Sequence, residues 1–164
     1  MTQSEQFLME AFAGESQANR RYLAFAQQAE KEGYPQVAKL FRAAAEAETV
    51  HAHAHLRALK GIRSTAENLK AAIIGETHEF TTMYPAMIGT AIVEGHKEAE
   101  QSFKFANEVE KAHADLFAKA LANLDKQTEV DYCVCSVCGY TWEIESPEEC
   151  QLCGTKAGHF FKVE

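Results

Sequence analysis

Apolar and small side chains recur through most of this chain at spacings built from threes and fours, the period of one face of a helix. From Glu5 to Glu30 the stripe is Leu8, Ala11, Ala18, Tyr22, Phe25 and Ala29, after which Gly33 and Pro35 punctuate. Pro35 suits the first turn of a second helix, whose stripe of Val37, Phe41, Ala44, His55 and Leu59 runs to Gly61, the expected C-terminal cap. A third helix is expected from Ser64 or Thr65, whose hydroxyls can cap it, through Leu69, Ile73, Met83 and Met87, with a kink at Pro85. After Gly95 a fourth stripe of Ala99, Phe103, Ala106, Phe117 and Leu121 ends near Lys126. Four long helices with no strand signal among them predict an all-α four-helix bundle.

The two halves of this helical part repeat at an offset of about 62 residues: Tyr22 matches Tyr84, Glu32-Gly33 matches Glu94-Gly95, Phe41 matches Phe103, Glu46 matches Glu108, and Glu48 and His51 match Glu110 and His113. A duplicated helical hairpin explains the match, and residues at repeated core positions should meet their twins near the centre. Extending each stripe through its gaps puts Glu15 on the first, Glu48 and His51 on the second, Glu76 and Glu79 on the third, and Glu110 and His113 on the fourth. Carboxylates on inward faces cost several kcal/mol each when ionised and unpaired, and no comparable inward set of Arg or Lys is present to neutralise them. Bound cations are the simplest remedy. About one Glu-x-x-His pair is expected by chance in such a composition, so the weight rests on placement. Both pairs sit on an apolar stripe, at equivalent points of a repeat, with carboxylate and imidazole one turn apart.

One Glu on each of two helices and Glu-x-x-His on the other two is a di-metal carboxylate pattern. Oxygen ligands with two imidazoles and no thiolate favour iron or manganese; zinc would bind but could not cycle electrons. Glu79, one turn beyond Glu76, exceeds the minimal pattern and suggests a metal that changes partners with oxidation state. Tyr22 and Tyr84 read equally as core aromatics and as phenols that hydrogen-bond a ligand. His53 and His55 have no twin in the repeat and read as solvated or end-of-bundle residues, His78 and His96 as surface or supporting ones.

Composition narrows the function classes. With 164 residues, 46% hydrophobic and 24% charged, the chain suits one globular domain with a small appendage. No apolar run approaches membrane-spanning length, no export signal marks the N-terminus, and a cytoplasmic setting is the expectation. A formal charge of -8 argues against a nucleic-acid partner. All five cysteines lie between Cys133 and Cys153, which predicts a helical domain over 1–130 and a metal module over 131–164. Cys135-x-x-Cys138-Gly and Cys150-x-x-Cys153-Gly form a double knuckle suited to one tetrahedral metal; the knuckles alone fit zinc or iron, and a redox-active neighbour favours iron. Cys133 falls outside the pairs as a spare thiol.

The stretches AFAGESQANRRY, AEAETVH, GETHEFTTMYP and EVEKAH, then CSVCGY, CQLCG and GHFF, resemble the rubrerythrin family over nearly the whole chain. The resemblance implies a ferritin-like diiron bundle with a C-terminal rubredoxin-like domain. It implies Glu15, Glu48, His51, Glu76, Glu79, Glu110 and His113 as diiron ligands, with His51 and Glu79 exchanging at one iron, and Cys135, Cys138, Cys150 and Cys153 around a single iron. The implied activity is a cytoplasmic peroxidase of oxidative-stress defence that reduces hydrogen peroxide to water, with Glu79, His51, Tyr22 and Tyr84 at the reacting centre. Electrons would come from NAD(P)H through a separate reductase, or from rubredoxin, since no glycine-rich nucleotide fingerprint is present. A ferroxidase or oxygen-reducing oxidase on the same ligands, and a non-enzymatic zinc-binding protein, are the competing readings.

The link between the second and third helices is short. In a ferritin-like bundle these helices run parallel, and with the ligands level the connection must travel roughly 30 Å at 1.5 Å per helical residue. Four extended residues reach about 14 Å. A homodimer exchanging helical hairpins is therefore expected, whereas a third helix beginning near Ala71 would permit an unswapped bundle.

Overall fold

A computed structural model describes residues 1–126, 129–143 and 147–163, and the chain divides into two compact units, Met1–Arg63 and Ser64–Glu164. The first unit is a helical hairpin of α1 (Gln3–Lys31) and α2 (Pro35–Ala58). At the start of α1 the Thr2 hydroxyl accepts from Glu5 N–H while the Glu5 carboxylate accepts from Thr2 N–H at 2.6 Å, satisfying two donors the helix leaves over. Pro35 occupies the first turn of α2, where its missing N–H costs nothing.

The seam of this hairpin is made of small residues. Its buried side chains are Ala18, Ala26, Ala29, Ala38, Ala45 and Ala52, which let the two backbones approach closely. Asn19 ties the helices together by donating to the Ala45 carbonyl at 2.7 Å and to Thr49 Oγ1 at 2.8 Å. Larger apolar residues, Phe7, Leu40 and Val50 among them, stay exposed. The cap expected at Gly61 lies one residue earlier: Lys60 takes the left-handed φ of 56°, Lys60 N–H bonds to Arg57 O, and Gly61 N–H bonds to Leu56 O at 2.9 Å. A Cβ at Gly61 would meet the end of the Leu56 side chain, which would have to shift.

In the second unit α3 (Thr65–His78) is capped by Ser64 and Glu67 as α1 is by Thr2 and Glu5, so the start at Ser64/Thr65 holds and the later one near Ala71 does not. A π-helical segment, Glu79–Met83, then leads without a break into α4 (Tyr84–Glu94), and α5 spans Lys97–Ala122. The kink expected at Pro85 takes the form of this π segment. Glu15 and Tyr22 are seven residues apart, but Glu76 and Tyr84 are eight apart. One inserted residue in a regular helix would rotate everything beyond it by about 100°. The wider turn, closed by Tyr84 N–H on Glu79 O, absorbs it. Register is recovered beyond it: the Tyr84 and Phe103 rings lie 6.3 Å apart at 39°, matching Tyr22 and Phe41 at 6.1 Å and 34°. The helical elements are therefore those of a four-helix bundle, two hairpins related by duplication, with one interrupted by an insertion.

The tail of this unit is a three-stranded antiparallel sheet, ordered β2-β1-β3, of β1 (Tyr132–Cys135), β2 (Thr141–Trp142) and β3 (Phe160–Val163). Its core is Cys133, Cys135, Trp142 and Cys150, with Tyr140, Leu152 and Phe160 packed against it. Cys133 is thus a core residue of the module, opposite Trp142 in the ladder. The module is joined to α5 through β2, by an ion pair between Lys119 and Glu143 and a contact between His113 and Thr141. No helix among the described residues is long and apolar enough to cross a membrane.

Candidate metal centres

Each unit gathers half of the carboxylate-imidazole set. In the first, Glu15 from α1 meets Glu48 and His51 from α2; in the second, Glu76 from α3 meets Glu110 and His113 from α5. Within each trio one ligand atom per residue lies within 4.8 Å of the others. The two trios are near copies. His51 Nδ1 lies 2.9 Å from Glu48 Oε2 and 4.0 Å from Glu15 Oε1; His113 Nδ1 lies 2.8 Å from Glu110 Oε2 and 4.0 Å from Glu76 Oε1. The i,i+3 spacing of Glu-x-x-His produces the shorter contact, and hairpin packing brings in the third residue.

Five of these six side chains are partly buried and His51 is exposed, and no charged side chain among the described residues is fully buried. The physical reason is simple: two packed helices have one seam, and a polar cluster beside it keeps an open side. In the second unit the crowding is still felt. Burial first, then the charge of Glu110 and that of Glu79, hold the Glu76 carboxyl above its ordinary range. Burial and the charges of Glu110, Glu79 and Glu76 likewise raise the Tyr84 phenol. Glu79, the first residue of the π segment, lies outside the tight trio but close enough to act on both groups. Tyr22 packs in a ring cluster with Phe25 and Phe41.

A cation suits each trio by its chemistry: two carboxylates and one imidazole converge with no Lys or Arg among them. The four-cysteine site fits as well. Cys135 and Cys153 Sγ are 3.7 Å apart and Cys138 and Cys150 Sγ 3.6 Å apart, close to the ~3.8 Å edge of a tetrahedron with metal–sulfur bonds of about 2.3 Å. A disulfide would need about 2.05 Å. Each Cys-x-x-Cys-Gly folds as a tight turn in which the glycine N–H bonds back to the first cysteine carbonyl at 2.9 Å, with Gly139 at φ 82° and Gly154 at φ 72°. A side chain would be strained there. Burial pushes the Cys138 and Cys150 thiols up. Burial acts the same way on Cys153, but the hydroxyl and backbone N–H of Thr155 outweigh it and bring that thiol down to about 6.

The rubrerythrin family model matches residues 6–121. The chain belongs to the rubrerythrin family. It is 37% identical to Rubrerythrin-2 of Clostridium acetobutylicum, over 94% of this chain and 93% of that protein. Identity to the rubrerythrin of Porphyromonas gingivalis is 38%, over 97% of this chain and 89% of that one. Among solved structures, the fully reduced, all-ferrous state of nigerythrin aligns at a TM-score of 0.61 and 30% identity, covering 99% of this chain and 88% of that one. As a member of this ferritin-like diiron family, the chain carries candidate clusters for the dimetal site and for the rubredoxin-like site, and the family implies a redox activity.

Three features of the chain escaped the periodicity. The π segment was signalled by the Glu76–Tyr84 spacing, one residue longer than Glu15–Tyr22. His96 is the N-cap of α5, its Nδ1 accepting from Ala99 N–H at 3.3 Å. Thr141, against the Nε2 of His113, had no signal, because it depends on how the tail seats on α5. His53 and His78 are exposed and His55 partly so, outside either trio.

Proposed function

We propose that this protein is a non-haem diiron peroxidase, reducing one hydrogen peroxide to two waters with two electrons and two protons. The observation that carries the reading is the pair of matched Glu, Glu-x-x-His trios, one of which touches a four-thiolate module. In this reading Glu15, Glu48, His51, Glu76, Glu110 and His113 hold two irons, Glu79 and His51 exchange at one of them, and Cys135, Cys138, Cys150 and Cys153 hold the single iron. Iron supplies the one-electron steps that zinc cannot. The all-ferrous state of nigerythrin, a relative by structure and sequence, supports that choice of metal.

The chain's own residues supply the rest. Glu110 and His113 line an open cleft with Val109, Val137 and Cys138, by which a small oxidant reaches the site. A nearby carboxylate or imidazole can supply protons to a departing oxygen. Tyr84, its phenol raised by burial and by the neighbouring carboxylates, stays protonated and can donate a hydrogen bond; Tyr22 holds the equivalent place in the first hairpin.

We further propose that a complete four-helix bundle, over residues 1–130, forms between two chains that exchange hairpins, with the iron module over 131–164. Leu59 to Gly61 are consumed by the turn that ends α2, and α3 begins at Thr65. The few residues left reach about 14 Å, roughly half the return an unswapped parallel arrangement requires. Electrons would enter from NAD(P)H through a separate reductase, or from rubredoxin, in the cytoplasm.

Metal analysis followed by anaerobic reduction and stopped-flow oxidation tests the assignment. The expected result is three irons per chain and faster reoxidation by peroxide than by dioxygen. Faster oxidation by dioxygen would replace the peroxidase with an oxidase or ferroxidase, and a colourless preparation holding zinc alone would leave no enzyme at all.

A further inference from the structure

The two imidazoles of the matched trios differ in what lies behind them. His51 is 55% exposed, whereas His113 is 29% exposed and engaged at both nitrogens. Its Nδ1 faces Glu110 and Glu76, and its Nε2 lies 3.1 Å from Thr141 Oγ1. Thr141 Oγ1 also lies 3.2 Å from the carbonyl of Gly139, to which it donates. A threonine hydroxyl has one proton. Having given it to Gly139, the oxygen can only accept from His113, so the imidazole carries a hydrogen on Nε2, and Nδ1, which faces the carboxylates, is the nitrogen left to a metal.

We propose that Thr141 is the positioning residue for His113, fixing the Nδ1-ligating tautomer and linking the metal ligand to the four-thiolate module. This inference rests on the reading of His113 as a metal ligand. The link is short: Gly139 follows Cys138 directly, its carbonyl receives the Thr141 hydroxyl, and that oxygen receives the imidazole N–H. The seating that allows it is visible one turn earlier on α5, where buried Val109 lies against Gly139, its Cγ1 3.9 Å from where a Cβ would stand. An N–H that donates to a fixed acceptor orients the ring and makes the opposite nitrogen a better donor to metal. Thr141 touches no reacting atom and acts through His113.

The test uses the full-length protein loaded with zinc(II), which is diamagnetic in both sites, and compares wild type with T141V and T141S. In wild type and T141S, histidine ring 15N spectra should show His113 bound through Nδ1 with a slowly exchanging Nε2–H. In T141V that proton should exchange at least about tenfold faster and zinc should bind the helical site about tenfold more weakly, the lower end of what losing a ligand's hydrogen-bond partner costs. His51 should be unchanged in all three. T141S restores the hydroxyl but not the methyl, so its recovery separates the hydrogen bond from packing. If wild-type His113 shows no zinc-induced shift at Nδ1, the metal-site reading fails. Zinc ligation through Nδ1 with T141V indistinguishable from wild type in exchange and affinity overturns the role of Thr141 alone.

Discussion

Removing Thr82 from the π segment should straighten the helix and drive Glu79 into the seam of the second hairpin. Glu79 stands three residues after Glu76, as Ala18 stands three after Glu15. Ala18 is buried on the α1/α2 seam. Glu79 bonds back to Gly75 and Glu76 in helical geometry, so its backbone already holds the place equivalent to Ala18; with the inserted residue gone, the turn that follows it would close to the seven-residue spacing of the first hairpin and press the carboxylate onto the seam. The wider turn that begins at Glu79 leaves its half-buried carboxylate room beside Glu76 and Tyr84, whose ionisation it opposes. An unpaired carboxylate forced into a packed seam costs about 3–5 kcal/mol. With a urea m-value of about 2 kcal/mol per molar, the midpoint should fall by roughly 2 M. The assay is urea unfolding of the metal-free protein at pH 7 and fixed subunit concentration, comparing wild type, the Thr82 deletion, and the deletion combined with E79A. The combined variant turns the second hairpin into a copy of the first, and should recover most of the lost stability even where the simple deletion fails to fold. A deletion as stable as wild type, or one that E79A does not rescue, refutes the reasoning.

Three further outcomes follow from the same geometry. Because the Glu76 carboxyl is held above its ordinary 4.5, its contribution to stability is full below pH 4.5 and is lost as pH rises through the elevated value; E76Q should therefore stabilise the metal-free protein at pH 7, with the gap closing toward pH 4.5 in urea titrations. The Cys138 and Cys150 thiols are raised and remain protonated near neutrality without metal, so at least two protons leave when zinc binds, and competition with a chelator should show affinity rising about 100-fold per pH unit between pH 7 and 8. Cys153, already down to about 6, adds little to that slope. Inserting about twelve Gly/Ser residues after Arg63 should relieve the short connection and shift the protein from dimer toward monomer in sedimentation; a wild type that is monomeric at all concentrations would reject hairpin exchange.

The helices and the three candidate metal clusters were legible because they rest on local rules. Helix period places Glu15, Glu48 and Glu110 beside apolar stripes, the Glu-x-x-His spacing makes the two short Nδ1 contacts, and Cys-x-x-Cys-Gly dictates its own turn. What was hidden depends on comparison or on tertiary contact. Pro85 announced a disturbance in the third helix, but its nature lay in counting residues between matched landmarks, since an insertion leaves hydrophobicity on either side unchanged. Lys60 in place of Gly61 at the end of α2 shows the same limit on a smaller scale. A glycine near a helix end signals a cap, yet here it lies beside the Leu56 side chain and the left-handed residue is its neighbour. The expectation that the ligand carboxylates lie in a closed core needs more than one hairpin, because each unit presents its trio on a face that remains partly open.

Duplication gives the two trios the same ligands, and the differences between their surroundings then decide what each can do. His113 is anchored behind by Thr141 and shielded by the module that carries the thiolates, so moving it would break a hydrogen bond and disturb the seating of that module. His51 is more exposed and is held through Nδ1 by its own carboxylate neighbour, so it can swing at lower cost. Glu79 stands beside the site where the first hairpin has an alanine, and the inserted residue widens the turn that follows it. The asymmetry between the two trios requires no new ligand type, only a glutamate in place of an alanine on one helix and one hydroxyl behind one imidazole.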